Sequence, residues 1–157
     1  MNVNLSEIRQ KTVAVNEYIE SLEHPFCENF LKRKQAYPLS MEAINQLGKI
    51  AKNYVVVAFS AEWCKDCAAN IPVLALVSEV TGLEVRIFGG IKKDPLSPTR
   101  KWRIPPSPPE VETFKIDKLP TIIIFDKEGN EVERIIENPK QMPTLEQELC
   151  EMIKSKS

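Results

Sequence analysis

One histidine, His24, and four cysteines are all the imidazole and thiol ligands the chain offers in its 157 residues. A zinc site needs about four ligands, and outside one close pair the candidates are Cys27, Cys150 and His24, none at paired spacing. A resident metal is therefore not expected, and four cysteines are too few for a disulfide scaffold. Charge of one sign is also missing: 21 basic side chains face 22 acidic ones. No global field draws the chain to nucleic acid or to a membrane, and neither is expected as a partner. No apolar run approaches a membrane span, and Met1 to Thr12 lacks the apolar core of a signal peptide. There is no internal repeat. The expectation is a soluble cytoplasmic monomer, in a compartment where most thiols are kept reduced. Apolar residues make up 43% of the chain, enough to fill one core at this length.

The chain is organised around 54–72. Val55 to Phe59 is a short apolar run rich in β-branched residues and reads as a buried strand. Cys64 and Cys67 follow three residues apart. If a helix starts at Cys64, the two sulfurs share a face and lie within reach of a disulfide. Unpaired backbone amides and the positive end of the helix dipole favour a thiolate at that start, so Cys64 is the expected nucleophile, with a lowered pKa. Cys67 is then the resolving thiol.

A strand, then Trp63-Cys64-Lys65-Asp66-Cys67, then a helix carrying Pro72, resembles the thioredoxin superfamily. Leu119-Pro120-Thr121, followed by the apolar strand Ile122 to Phe125, resembles the cis-proline segment that faces the cysteines in that family. The resemblance covers roughly Tyr54 to Lys154. It implies an α/β thioredoxin fold, with a central mixed sheet of about four strands (βαβ, then ββα) flanked by helices and a right-handed crossover. It also implies that Pro120 is cis, that it keeps metals from the thiols, and that the Leu119 backbone pairs with an extended substrate.

Three departures stand out. Thioredoxins usually carry Gly-Pro between the cysteines, whereas Lys65 and Asp66 pull the thiol in opposite directions. The family's buried aspartate, six positions before the first cysteine, is matched by Ala58, so the proton of the resolving thiol needs another carrier: Glu62, Asp66 or water. The stretch 89–115 holds six prolines where the family carries a helix, and such density cannot support a long helix interior. That insertion also gathers Lys92, Lys93, Arg100, Lys101, Trp102 and Arg103, a surface suited to an acidic or extended protein substrate.

Periodicity supplies the rest. A helix capped by Ser6 is expected over Glu7 to Leu22, a second piece over Pro25 to Lys34, and a third, capped by Ser40, over Met41 to Lys52. The active helix runs from Cys64 to about Val80 and ends at Thr81-Gly82. Leu83 to Phe88 alternates as a strand, Ile122 to Phe125 and Glu131 to Ile136 form a hairpin, and Thr144 caps a last helix over Leu145 to Lys154. Residues 1–40 read as a helical extension packed on a thioredoxin-like domain, 41–157.

The resulting expectation is an enzyme, a thioredoxin-like protein disulfide oxidoreductase working in the reducing direction at Cys64 and Cys67. Trp63, Lys65, Asp66 and Pro120 support the site, and Leu119, Thr121 and Trp102 contact substrate. Its partners are a protein or small-molecule disulfide and an electron donor, either a thioredoxin-reductase-like enzyme or a low-molecular-weight thiol. No bound cofactor is needed. A binding module that keeps the fold without turnover, or a peroxide scavenger using the same thiols, are the alternatives.

Overall fold

The structure, a computed structural model, describes residues 1–92 and 107–156. In chain order the elements are α1 (Leu5–Lys11), β1 (Val13–Ala14), α2 (Val15–Ser21), α3 (Phe26–Ala36), α4 (Met41–Ile50), a 3-10 turn (Ala51–Asn53), β2 (Tyr54–Phe59), α5 (Lys65–Thr81), β3 (Glu84–Phe88), α6 (Glu110–Thr113), β4 (Thr121–Asp126), β5 (Glu131–Ile136) and α7 (Leu145–Lys156). The strands form one sheet in the order β1-β3-β2-β4-β5. β2 runs parallel to β3 and antiparallel to β4, with Val57 between Arg86 and Ile123, which makes the mixed α/β sheet of the thioredoxin fold.

The run Val55 to Phe59 is buried along its whole length, so both faces of the central strand, where successive side chains alternate, are covered by the core. α5 is apolar nearly all round, burying Cys67, Ile71, Val73, Leu74, Ala75 and Val77. A helix of that kind needs cover on every side, and α5 has it from β3, α2, α3, α4 and α7. Leu5, Ile8, Val15, Tyr18, Ile19 and Phe30 from the first forty residues join the same core as the sheet. Each such buried side chain contributes about 1.5–3 kcal/mol of transfer free energy.

The single helix expected over Glu7 to Leu22 is two helices with a strand between them. Asn4, not Ser6, is the first cap, accepting the Glu7 amide at 3.2 Å. The break lies at Thr12, whose hydroxyl donates back to the Ile8 carbonyl at 2.7 Å. The Arg86 guanidinium takes the carbonyls of Arg9 and Thr12, so the helix end keeps partners for its orphan acceptors. Val13 and Ala14 then pair antiparallel with Ile87 and Arg86. This fifth strand covers the edge that β3 would otherwise expose, and helical spacing alone does not reveal it.

Ser40 stands at the N-cap of α4, but its side chain makes no capping bond. Its amide donates instead to the buried Glu146 carboxylate at 2.7 Å, which also accepts from the Tyr37 hydroxyl at 2.8 Å. Thr144 does cap α7, accepting the Gln147 amide at 3.3 Å. The insertion returns to the fold through α6, after which Phe114 packs against Phe59 and Phe125.

Candidate active site

Cys64 is the N-cap of α5, and its sulfur takes the role of a capping oxygen by accepting the Cys67 amide at 3.2 Å. β2 and the loop behind it fix this start: the Ser60 amide donates to the Phe88 carbonyl at 3.0 Å, and the Cys64 amide to the Ala61 carbonyl at 3.3 Å. Both cysteines are free thiols. Cys64 is half-buried, whereas Cys67 is fully buried one turn into the helix.

This difference in burial separates their acidities. The Cys64 thiol is pulled down to about 7, first by its hydrogen bond with the Cys67 side chain and then, against burial, by the Cys67 and Asp66 amides. The Asp66 carboxylate opposes the shift, while its own amide assists it. Burial pushes the Cys67 thiol far up, and the neighbouring Cys64 adds to this; the Ala61 amide and the Ser60 hydroxyl act the other way. Lys65 is exposed on the first turn.

The loop before β4 closes the site from the opposite side. The Leu119–Pro120 peptide is cis, and the Leu119 carbonyl lies 3.6 Å from Cys64 Sγ. The Pro120 carbonyl accepts the Glu137 amide at 2.8 Å. Thr121 is buried, and its hydroxyl donates to the Lys118 carbonyl at 2.7 Å, so that its side chain holds the loop. Trp63 is exposed at the rim of a groove of about 140 Å³ that Glu62, Ile91 and Lys92 also line. Trp102 falls outside the described residues, as do Lys93, Arg100, Lys101 and Arg103. Lys92 and Ser107, the described residues that flank them, meet: the Lys92 amide donates to Ser107 Oγ at 2.6 Å. The insertion is thus rooted beside Trp63.

Three residues of the site went unnoticed in the sequence. Asn70, one turn beyond Cys67, donates from its amide nitrogen to the Asp66 and Glu137 carbonyls and to Asn138 Oδ1, tying α5 to the end of β5. A polar residue in an otherwise apolar helix was the available signal. Ser60 is fully buried, and its hydroxyl lies 2.9 Å from that of Tyr18 on α2. No local pattern joins residues 42 positions apart. Among the described residues no cluster of three or more His, Cys, Asp or Glu side chains is placed to hold a metal ion.

A dithiol of split acidity at the head of a buried helix, faced by a cis-proline loop across a mixed sheet, defines a thioredoxin-like redox protein. Residues 12–97 match the family model described as thioredoxin, and the chain belongs to that family. It is 37% identical over 93 residues to a thioredoxin of Chlamydia muridarum and 34% identical over 93 residues to one of Chlamydia trachomatis. Each alignment covers 59% of this chain and 76% of the relative. A crystal structure of a protein of unknown function from Pseudomonas aeruginosa superposes with a TM-score of 0.75 at 13% identity, covering 99% of both chains. An HIV epitope scaffold superposes with a TM-score of 0.73 at 13% identity, over 99% of this chain and all of that one. At such identity these two structures speak for the fold alone.

Proposed function

We propose that the protein is an oxidoreductase that reduces disulfides by exchange at Cys64 and Cys67. The observation that carries this reading is the unequal burial of the two thiols, which leaves Cys64 ionised near neutrality and Cys67 protonated. The Cys64 thiolate attacks one sulfur of a substrate disulfide and expels the other as a thiolate. Cys67 then displaces the substrate from Cys64, leaving an internal disulfide and a fully reduced substrate. A thioredoxin-reductase-like enzyme or a low-molecular-weight thiol returns two electrons to the pair. Reduction is the direction favoured in a reducing compartment such as the cytoplasm. The groove beside Trp63 and the rooted insertion support an extended peptide as substrate, its backbone running past Leu119.

The test is the reduction potential of the pair, by equilibration in glutathione or dithiothreitol buffers with thiol trapping. A reversible couple near about −270 mV supports a reductase, and one nearer about −120 to −180 mV an oxidase or isomerase. If no internal disulfide forms at any poise, exchange is not the activity. Turnover of a disulfide substrate must also vanish in Cys64→Ser.

A further inference from the structure

A second groove, of about 290 Å³, opens between α3, the head of α5, the end of β5 and the start of α7. Arg33, Tyr37, Asn70, Asn138 and Thr144 supply its polar wall, and of the whole lining only Arg33 is charged. That guanidinium is fixed before any ligand arrives. Its Nε donates to the Ala69 carbonyl at 3.1 Å, and its central carbon lies 4.8 Å from the middle of the Tyr37 ring. These contacts orient a planar fork whose two terminal amino groups bond to nothing among the described residues. Asn138 adds donors: its Oδ1 accepts from Asn70 Nδ2 at 2.8 Å, which leaves its own amide hydrogens unspent. The neighbouring carboxylates stay out of the groove. Glu146 is fully buried and accepts from the Tyr37 hydroxyl and the Ser40 amide, Glu137 pairs with Lys118, and Asp66 is not part of the lining. A hollow with one oriented guanidinium, spare amide hydrogens and no acid in its wall takes an anion, and the flat fork suits a carboxylate.

The place of the groove on α5 says what that carboxylate belongs to. Ala69, which anchors the guanidinium, stands five residues along the chain from Cys64, the cap of the same helix, a rise of about 7.5 Å. Asn70 ties the groove to the loop that faces Cys64: it donates to the Glu137 carbonyl, and the Glu137 amide donates to the Pro120 carbonyl. An extended chain covers about 3.3–3.6 Å per residue, so about two residues span the rise. Glutathione has that reach, with a carboxylate-bearing residue on either side of its cysteine.

We propose that this groove holds a carboxylate of a low-molecular-weight acidic thiol of the glutathione type while its sulfur is bonded to Cys64. The proposal rests on the exchange reading above and names the electron donor of that same site. A glutathione thiolate attacks Cys64 Sγ in the internal disulfide, and Cys67 leaves with the bonding pair and takes a proton from solvent. A second glutathione thiolate then attacks the glutathione sulfur bonded to Cys64 and expels the Cys64 thiolate. Two glutathiones are oxidised to one disulfide, and the disulfide of Cys64 and Cys67 is reduced to two thiols. Run in reverse, oxidised glutathione oxidises the pair through the same mixed disulfide, so one carboxylate site serves both directions. Arg33 binds and touches no reacting atom.

The experiment measures second-order oxidation of the dithiol protein at neutral pH, by acid quench and intact mass, with three disulfides of different charge. These are anionic oxidised glutathione, neutral 2-hydroxyethyl disulfide and cationic cystamine. The native chain is compared with Arg33→Gln, Arg33→Lys, Lys65→Gln and Lys32→Gln, the last removing an exposed charge of α3 that lies outside the groove. Oxidised glutathione should react about three- to tenfold more slowly with Arg33→Gln. It should react about two- to threefold more slowly with Arg33→Lys, which keeps the charge and loses the fork. Both variants keep native rates with the other two disulfides, and Lys32→Gln keeps all three. A native glutathione rate in Arg33→Gln overturns the site. So does equal slowing with all three disulfides, which marks a structural effect, or equal loss in Arg33→Gln and Lys32→Gln, which marks a general field. A loss confined to Lys65→Gln also overturns it and assigns the carboxylate to that lysine. If none of the three disulfides oxidises the native pair, the exchange reading itself fails, an outcome distinct from the others.

Discussion

The carbonyl oxygen of Leu119 accepts a hydrogen bond from the thiol of Cys64 at 3.6 Å, across 55 residues of sequence. That bond exists only while Cys64 is protonated, since a thiolate has no hydrogen to give. Ionisation therefore does two things at once: it arms the sulfur and releases the one backbone acceptor of the cis-proline loop that faces it. On the proposed exchange reading, a substrate amide would find Leu119 free, and nucleophile and docking point would become available over the same pH range.

The first prediction concerns that range. Alkylation of Cys64 by iodoacetamide should rise with pH to a midpoint of about 7, against an ordinary thiol value of 9.0. Below the midpoint the thiol predominates and reactivity falls tenfold per pH unit. Stability follows with its own signs. From pH 7 to 9 the unfolded chain holds the Cys64 proton that the folded chain has lost, so stability rises with pH. Above 9 the folded chain keeps the Cys67 proton that the unfolded chain loses, and stability falls. Urea unfolding of the dithiol form across pH 6 to 10 checks the shape, and Cys64→Ser should abolish its rising limb.

Gly129 answers a different question, how the N-terminus is held. Its φ is +86°, and a Cβ there would stand 1.9 Å from the Val3 carbonyl oxygen. Val3 donates its amide to the Gly129 carbonyl at 2.8 Å, and Glu131 donates to the Met1 carbonyl at 2.8 Å. Gly129→Ala should cost about 1–3 kcal/mol through backbone strain and loss of this pairing, read as a lower urea midpoint. Reduction of a small disulfide should be unchanged.

Glu137 carries its backbone at a φ of +67°, in the left-handed region that favours glycine. A side chain there costs about 1–2 kcal/mol, partly offset by the greater entropy of a glycine in the unfolded chain. Its 3.6 Å ion pair with Lys118 is well exposed and adds little. Glu137→Gly should stabilise the protein by up to about 1 kcal/mol, and Glu137→Val should destabilise it by about 1–2 kcal/mol. Thermal unfolding of the two variants separates them in opposite directions.

Glu148 is a buried carboxylate whose Oε1 accepts the amides of Lys140, Gln141 and Met142 at 2.8, 2.6 and 3.1 Å. Removing it leaves three amides without an acceptor. Glu148→Ala should cost about 3 kcal/mol or more, while Glu148→Gln, which keeps a carbonyl oxygen in place, should lose less than half of that. Denaturant midpoints measure both.

Legibility in the sequence followed the range of the interactions. The strand Val55 to Phe59, the dithiol at the head of α5, the glycine stop at Gly82 and the cap at Thr144 are local events, and local patterns announce them. Gly82, for instance, ends α5 at a φ of +80°, as a helix-stopping glycine should. The break at Thr12 was hidden because its cause, Arg86, lies 74 positions away on β3. Ser40 looked like a cap, yet the partner of its amide is Glu146, 106 positions on. The Tyr18 and Ser60 pair was invisible for the same reason: a buried tyrosine on a short helix reads as packing until the fold supplies its neighbour.

The clasp between Lys92 and Ser107 has a consequence for how this domain can change. Two residues 15 positions apart are hydrogen-bonded to each other in both directions, between the Lys92 backbone and Ser107 Oγ. The two ends of the intervening segment are thus pinned to each other, and closing a chain between pinned ends depends only on the slow logarithm of its length. The clasp itself uses only the Lys92 backbone and one serine hydroxyl, so it asks nothing of the side chain at position 92. A change of residue at Lys92 therefore leaves the closure intact, whereas loss of the Ser107 hydroxyl removes both of its bonds at once.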